Sequence, residues 1–561
     1  MEKGRVLLVD NDSDIRKRYG QLLSKKGYRV FIAESEASAW RILETERVDL
    51  AIIDVRLKDE LENHDFSGIA FTKRLLEHYA VAIILFSAYP WHAEQLLPLP
   101  SSVRRTQKRD HHSLLTHIEQ LFRDEVLLPN WQLEIITEGD LSVADLMGQV
   151  RGLEKHYPMS LEKFEDEFEN ELLRRMFQAE SQIHVFRLEP GRGGSGVLTV
   201  LRKYRHEEGE KLIEGARVVV KFGMRESLLR EVANYQKYVE RYVRTHSTQV
   251  IGKPVQTRHL AGVAFLFVGS ANGRSRSFLE TYTDPHVTSG DLAQIVENIF
   301  RDSCQLWYLS AKVRWEPENS THLDLLQSYK QQLSLEKVTD WQELHFFMDC
   351  ILHEPADYPV QFVHENEKQL GITLGNNKLL LPNPVLFAEN HADLFPQPRF
   401  WCLTHGDLNG RNIFVDDNNA AWLIDFFRTG WGPALRDAAE LEAVVKFELL
   451  QTANLEHLIL LEECLLTSPS LVSSLILPAP LNANAEIARA VSTIEAIRRE
   501  AASINEDDDP AEYRAHLFFY ALKMISWQGF SQVDQNRYPI RQRHALYSAT
   551  KIAALMAEKV V

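Results

Sequence analysis

Two groups of side chains in this 561-residue sequence have the types and spacing needed for phosphoryl chemistry. In "THGDLNGRNIFVDDNNAAWLIDF", Thr404 to Phe426, Asp407 sits in a loop between apolar segments, Asn412 follows five residues later, and Asp425 ends a short apolar run. An Asp so placed can orient or deprotonate a hydroxyl, while an Asn and a second Asp can chelate magnesium bridging phosphates. The other group is spread over the first hundred residues. Asp10, Asn11 and Asp12 follow the run "RVLLV", Asp54 ends "VDLAIID", Ser87 closes "AVAIILFS", and Lys108 stands near an expected fifth run. Carboxylates gathered in one place repel each other, and a divalent cation relieves that repulsion. A nucleophilic Asp with a metal pocket, a hydroxyl and a Lys makes a site for an acyl phosphate.

The elements around these residues fit the chemistry. In the first 125 residues, short β-branched runs alternate with amphipathic stretches such as "SDIRKRYGQLLSKKG", a pattern that predicts βαβ units around a buried parallel sheet. Ligands of such sheets gather at the carboxyl ends of the strands, where the polar residues stand. Further on, "IHVFRLEPGRGGSGVLTVLRKY" predicts strand, glycine-rich turn, strand, and Gly191, Gly193, Gly194 and Gly196 would let backbone amides approach phosphate oxygens. "ARVVVKFG" places Lys221 on a strand, and the following helix carries Glu231, with Glu226 as its rival. A strand Lys paired with a helix Glu can hold nucleotide phosphates.

The length exceeds what one core supports and predicts two or three domains. With 45% hydrophobic and 25% charged residues the chain has the composition of a globular protein. A formal charge of −16 argues against nucleic acid as a partner. The four cysteines, Cys304, Cys350, Cys402 and Cys464, lack zinc-ligand spacing and read as thiols of a reducing compartment. No signal-peptide pattern opens the sequence and no apolar run approaches the ~20 residues of a membrane helix. A cytoplasmic protein that binds no membrane is expected.

Residues 3–123 resemble a response-regulator receiver domain in the order and spacing of Asp10, Asp54, Ser87 and Lys108. The resemblance implies a flavodoxin-like doubly wound sheet over 1–124, Asp54 as phosphoacceptor, Ser87 as switch hydroxyl, Lys108 as phosphate-binding lysine, and Mg2+ held by Asp10, Asn11 and Asp54. It also implies a histidine kinase or phosphotransfer protein as donor, and a homodimer through the receiver as one mode of assembly. The sequence departs from the family where Asn11 replaces an Asp, where the loop between Asp54 and Gly68 is enlarged, where Arg109 replaces a proline after Lys108, and where Arg105 takes the place of an aromatic switch residue.

The "HGD" opening, with Asn412 and Asp425 behind it and Lys221 and Glu231 ahead, resembles the aminoglycoside phosphotransferase and choline kinase group of protein-kinase-like folds. This implies a bilobal α+β domain with extra helices, its N-lobe over 181–270 and its C-lobe over 271–561, joined to the receiver by a helical connector over 125–180. By the same resemblance Asp407 is the catalytic base, Lys221 and Glu231 the phosphate-binding pair, Asn412 and Asp425 the metal ligands, and His405 and Asp437 structural supports. ATP or GTP with Mg2+ would be the donor, and a small molecule or a protein the acceptor. The strand "VAFLFVG" would lead to the hinge touching adenine. Segments 270–400 and the tail after Gln451 have helical periodicity. Two other outcomes remain open: a pseudokinase acting as a nucleotide- or protein-binding scaffold, and a receiver that only mediates docking.

Overall fold

A computed structural model of the chain describes residues 3–58, 65–79, 81–88, 103–124, 126, 128–157, 160–188, 194–205, 211–240, 242–243, 248–266, 276–309, 325–333, 338–353, 359–526 and 538–558. The chain separates into two compact units, Met1–Leu229 with Val250–Phe267, and Arg230–Gln249 with Val268–Val561.

The first unit begins with a five-stranded sheet of order β2-β1-β3-β4-β5, made of β1 (Arg5–Val9), β2 (Arg29–Ala33), β3 (Leu50–Asp54), β4 (Ala82–Ser87) and β5 (Arg104–Gln107). Every pairing is parallel. Helices cover both faces, so β3 is buried along its whole length, which explains why it reads as an unbroken apolar run rather than an alternating one. Those helices are α1 (Ser13–Lys25), α2 (Glu36–Thr45), α3 (Ser67–His78) and α4 (His111–Asp124). Their starts are written locally. Asp12 caps α1 by accepting from the Asp14 amide at 2.7 Å, and Ser35 with Ser38 forms a capping box on α2.

The same unit holds a six-stranded sheet of order β10-β11-β9-β8-β7-β6. Its strands are β6 (Glu134–Thr137), β7 (Gln182–Arg187), β8 (Gly196–Arg205), β9 (Leu212–Met224), β10 (Val250–Gln256) and β11 (Leu260–Leu266). Four of the five pairings are antiparallel, and β6 joins β7 in parallel. Between β6 and β7 run α5 (Val143–Met147), α6 (Leu153–His156) and α7 (Leu161–Asp166), the last continuing through a π-helical turn, Glu167–Leu173, into α8 (Arg174–Met176). Phe164, Phe168, Leu172 and Leu173 from this stretch share one core with Val185, Val200, Val220 and Phe222 of the sheet. The stretch between the two sheets is therefore built into the second of them.

In the second unit, α9 (Arg225–Asn234), which begins in the first, supplies its last turn. Strand Trp401–Thr404 pairs with Gly430–Pro433, and Ile413–Val415 pairs with Ala421–Leu423. Long helices follow at Leu455–Thr467, Ala485–Asn505, Pro510–Ser526 and Tyr538–Glu558. Part of the segment expected to be helical is instead an antiparallel sheet of Val360–Asn366, Gln369–Leu374 and Asn377–Pro382. Its period is two: Val360 and Phe362 are buried while Gln361 and Val363 face out, and Gly375 at φ +56° turns the second hairpin.

One buried charge in the helical part is closely matched. Arg498 forks onto Glu442 with two bonds of 2.8 Å, Tyr513 donates to the same carboxylate at 3.0 Å, and both charged residues are almost fully buried. Arg498→Met strands the Glu442 carboxylate and should cost about 3–5 kcal/mol in a denaturant titration, whereas pairing it with Glu442→Gln should recover most of that loss.

Candidate functional site

At the carboxyl end of the parallel sheet, Lys108 Nζ lies 2.9 Å from Asp10 Oδ2 and 3.0 Å from Asp54 Oδ2. All three side chains, and Ser87, are buried. The strands set this geometry: Asp54 is the last residue of β3, Asp10 follows β1, Ser87 ends β4, and the Lys108 amide donates to the Ser87 carbonyl at 2.8 Å. Gly68 allows α3 to begin against this edge, since a Cβ there would stand 1.8 Å from the Asp54 carbonyl oxygen. The sequence-based set of Asp10, Asp54, Ser87 and Lys108 is thus brought to one strand edge.

Electrostatics follow from that burial. Loss of water raises the Asp54 pKa from 3.8 to about 7, with Asp10 adding to the rise and Lys108 opposing it. Burial alone would lower the Lys108 pKa, but Asp54 and Asp10 outweigh it and hold the ammonium above its ordinary value. Two carboxylates and one ammonium leave a residual negative charge. Asn11 Oδ1, on the residue that follows Asp10, is buried and has no hydrogen-bond donor among the described residues. Among the described residues no cluster of three or more His, Cys, Asp or Glu suits a metal ion, so a hard cation here would draw on Asp10, Asp54, the Asn11 amide and water. The donor set fits such an ion.

Several supports of this pocket have no local sequence signal. The Tyr19 hydroxyl donates to the Lys108 carbonyl and lies 2.6 Å from His111 Nδ1, joining residues about ninety positions apart. Asp65 accepts from the Lys58 amide at 2.8 Å and the Ser67 amide at 2.9 Å, closing the base of the enlarged loop, whose residues 59–64 lie outside the described ones. Arg109 is exposed and Arg105 half-buried.

In the second unit the "HGD" loop is held from beneath by the helix Arg436–Val444. Asp437 accepts from the His405 amide at 2.7 Å, the Gly406 amide at 2.9 Å and the Tyr308 hydroxyl at 2.9 Å, while Glu440 accepts from the Leu408 amide at 2.9 Å. His405 Nε2 lies 3.0 Å from the Ile424 carbonyl oxygen, tying this loop to the one before Asp425. Asn412 Nδ2 donates to the Asp407 carbonyl at 2.8 Å and to its carboxylate at 3.1 Å, and the Ile424 amide donates to the Asn412 carbonyl at 3.0 Å. Asp407, Asn412 and Asp425 are therefore assembled by direct bonds or through one neighbour. The amide nitrogen of Asn412 is committed to Asp407, which leaves its oxygen as the group that suits a cation. Asp425 adopts φ +65°, a conformation costly for a residue with a side chain.

Burial pushes the Asp407 pKa up, but Lys523, Arg428 and His405 outweigh it and hold the carboxyl below its ordinary value. Glu440 moves the other way, to about 7, because burial is reinforced by Asp407 and Asp437. Lys523 lies 3.6 Å from Glu440 across 83 positions of sequence, a pairing no motif announces.

Lys221 is buried on β9, in register with Val197 of β8 and Val263 of β11, in the first unit. Glu231 is buried on α9, in the second unit, whereas its rival Glu226 is exposed. Gly191 and Gly193 lie outside the described residues, as do positions 267–269 of the expected hinge strand. Gly194 adopts φ +78°, and a Cβ on Gly196 would meet the Phe222 ring at 2.2 Å, so the close approach Gly196 permits is to that ring.

The raised Asp54 pKa has a consequence for stability. The folded state binds the proton that the unfolded chain releases near pH 3.8, so this group favours the fold at low pH and its contribution is lost as pH rises toward about 7. A 13C-carboxyl titration of the metal-free protein should find Asp54 changing state near pH 7, and Asp54→Asn should flatten the fall in melting temperature over that window. A midpoint near 4 would contradict the burial described.

A family model described as a response regulator receiver domain matches residues 6–95. The transcriptional regulatory protein GlrR of Escherichia coli is 46% identical over 57 residues, 10% of this chain and 13% of that protein. The response regulator GtcR of Aneurinibacillus migulanus is 28% identical over 94 residues, 17% of this chain and 36% of that protein. This chain therefore spans well under half the length of these curated relatives. Among solved structures, a CheY-like receiver domain protein from Methanospirillum hungatei is 23% identical, covering 22% of this chain and 94% of that one with a TM-score of 0.18. An aminoglycoside-3'-phosphotransferase of type VIII is 14% identical, covering 62% and 94% with a TM-score of 0.32. A second family model, described as ternary complex associated domain 9, matches residues 181–340 and 360–526, more than half of the chain. The chain thus carries a response-regulator receiver domain at its N-terminus and belongs to the ternary complex associated domain 9 family.

Proposed function

We propose that this protein receives a phosphoryl group on Asp54 and passes that state to a kinase-like output domain that uses a magnesium nucleotide. The observation that carries the reading is the Lys108 ammonium held within 3.0 Å of both Asp10 and Asp54 in a buried pocket. An Asp54 oxygen attacks the phosphorus of a phosphohistidine on a histidine kinase or phosphotransfer protein. The P–N bond breaks, the O–P bond of an acyl phosphate forms, and the departing imidazole takes up a proton. Lys108 neutralises phosphoryl oxygens once they replace the carboxylate charge, and Ser87 supplies a hydroxyl at the same strand edge. Magnesium on Asp10, Asn11 and Asp54 would supply further charge neutralisation.

For the output domain, the depressed Asp407 pKa keeps that carboxylate ionised at neutral pH, ready to orient an acceptor hydroxyl and take its proton. Asn412 and Asp425 suit a magnesium ion on the nucleotide, and Lys221 with Glu231 suits its phosphates. The acceptor is a small molecule or a protein, and ATP or GTP is the donor. A cytoplasmic site of action accords with this chemistry. Among the described residues no helix is long and apolar enough to cross a membrane.

A second reading takes its support from the family's description, which speaks of association with a ternary complex. In it the kinase-like part binds nucleotide or protein as a member of an assembly and transfers nothing. Calorimetry with Mg-ATP and Mg-GTP, followed by tracing labelled phosphate, separates the two. Lys221→Ala and Asp425→Ala should weaken nucleotide binding, whereas Asp407→Asn should bind nearly as wild type while lowering turnover by about 10²–10⁴-fold. Binding without transfer in the wild type would select the assembly reading, and no binding of either nucleotide at millimolar concentration would overturn both.

A further inference from the structure

Receiver and six-stranded sheet meet within the first unit, and they meet at the end of β3 opposite Asp54. Asp49 immediately precedes β3, as Asp54 ends it. One Asp49 oxygen accepts from the Arg5 amide at 2.9 Å, and the other lies 2.9 Å from Arg175 of α8. Beside it Arg47 lies 2.5 Å from Glu171 of the π-helical turn, and Glu171 also approaches Arg175 at 3.9 Å. Trp131 is flanked by the Arg47 and Arg174 guanidinium groups at 5.8 Å and 5.7 Å from its ring. These pairs are mostly withdrawn from water, with side-chain exposures of 3% to 21%, so screening weakens them less than surface pairs.

The same helical stretch grips the sheet. Glu167, four residues before Glu171, accepts from the Thr257 hydroxyl at 2.5 Å, the His259 amide at 2.7 Å and the Leu260 amide at 3.2 Å, and its second oxygen lies 2.7 Å from His259 Nδ1. This is the turn between β10 and β11. Its Arg258 reaches the receiver directly, donating to the Glu44 carbonyl at 2.7 Å and lying 5.5 Å from the Tyr79 ring. The His259 carbonyl accepts from the Arg225 amide at 2.8 Å, immediately after β9, the strand of Lys221. Turn 257–260 is thus fixed by the connecting helix, by the receiver and by the end of β9.

We propose that Asp49, Arg47, Glu171, Arg175 and Arg258 form a polar joint that makes the receiver and the Lys221-bearing sheet one cooperative unit, so that occupancy of the Asp54 pocket changes the order of the β10–β11 turn. The regulatory sense of this joint rests on Asp54 being the phosphoacceptor, while the joint itself does not. Linkage makes the coupling reciprocal: a ligand that tightens the sheet tightens the pocket equally.

Hydrogen exchange by mass spectrometry on the full chain tests both levels. Without ligand, Arg47→Glu should speed exchange over residues 250–266 by about tenfold, as local opening becomes easier. Arg47→Glu with Glu171→Arg should restore the slow rate, which excludes simple misfolding. Magnesium with beryllofluoride, an acyl-phosphate mimic, should shift exchange in residues 50–54 and 250–266 of the wild type, but only in 50–54 of Arg258→Ala combined with Arg175→Met. Unchanged exchange at 250–266 in Arg47→Glu overturns the joint. A receiver that responds to beryllofluoride while 250–266 does not overturns the coupling. A receiver that fails to respond instead counts against the phosphoacceptor reading, and the charge-swap comparison still decides the joint.

Discussion

Lys108 places one positive charge between two carboxylates that have lost their water, and the receiver is arranged around that imbalance. Removing two charged groups from solvent is expensive unless each finds a partner. One ammonium pairs with both, but burial outweighs that pairing at Asp54 and holds its pKa up at about 7. Three strands and one helix hold this state: β1 and β3 present the acids, β4 presents Ser87 and accepts the Lys108 amide, and Tyr19 fixes the Lys108 carbonyl from α1. In the proposed function, a cation and a phosphoryl group would enter this buried cluster of two carboxylates and one ammonium.

The second unit applies the same constraint to a different end. Asp437 is buried beneath the "HGD" loop and accepts two of its backbone amides, so its desolvation is offset by fixing the loop, whereas Glu440, with one amide and Lys523, keeps a raised pKa of about 7. Asp407 is then left with Asn412 and a surrounding field of Lys523 and Arg428. Deeper in the helices, Lys446, Glu462, His544 and Ser548 form a closed group with no exposed member, which fixes helix register without offering a site.

Asp10, Asp54, Ser87 and Lys108 were legible because a buried parallel strand writes itself as an apolar run, and the residue that ends the run is placed by chain geometry alone. The loop of Asp407, Asn412 and Asp425 was legible for a related reason, since its spacing is local and the bonds from Asn412 to Asp407 and from His405 to Ile424 span five and nineteen positions. Tyr19 with His111, Asp49 with Arg175, and Glu440 with Lys523 were not legible, because each pair is made by tertiary packing across a long stretch and neither partner sits in a patterned context. The segment 360–382 was misread as helical because its strands are short and their outward faces carry Val363 and Leu380, which blur the two-residue alternation. Its turn glycine at Gly375 was the available signal.

Signal reception by this protein requires that Asp54 accept a phosphoryl group in this pocket. Incubation of the full chain with acetyl phosphate and magnesium, read by intact-mass spectrometry and peptide mapping, measures this directly. One phosphoryl adduct per chain, located on Asp54, labile at alkaline pH and absent from Asp54→Asn, is the predicted result. An unmodified wild-type chain, or equal labelling of the Asp54→Asn protein, would contradict it.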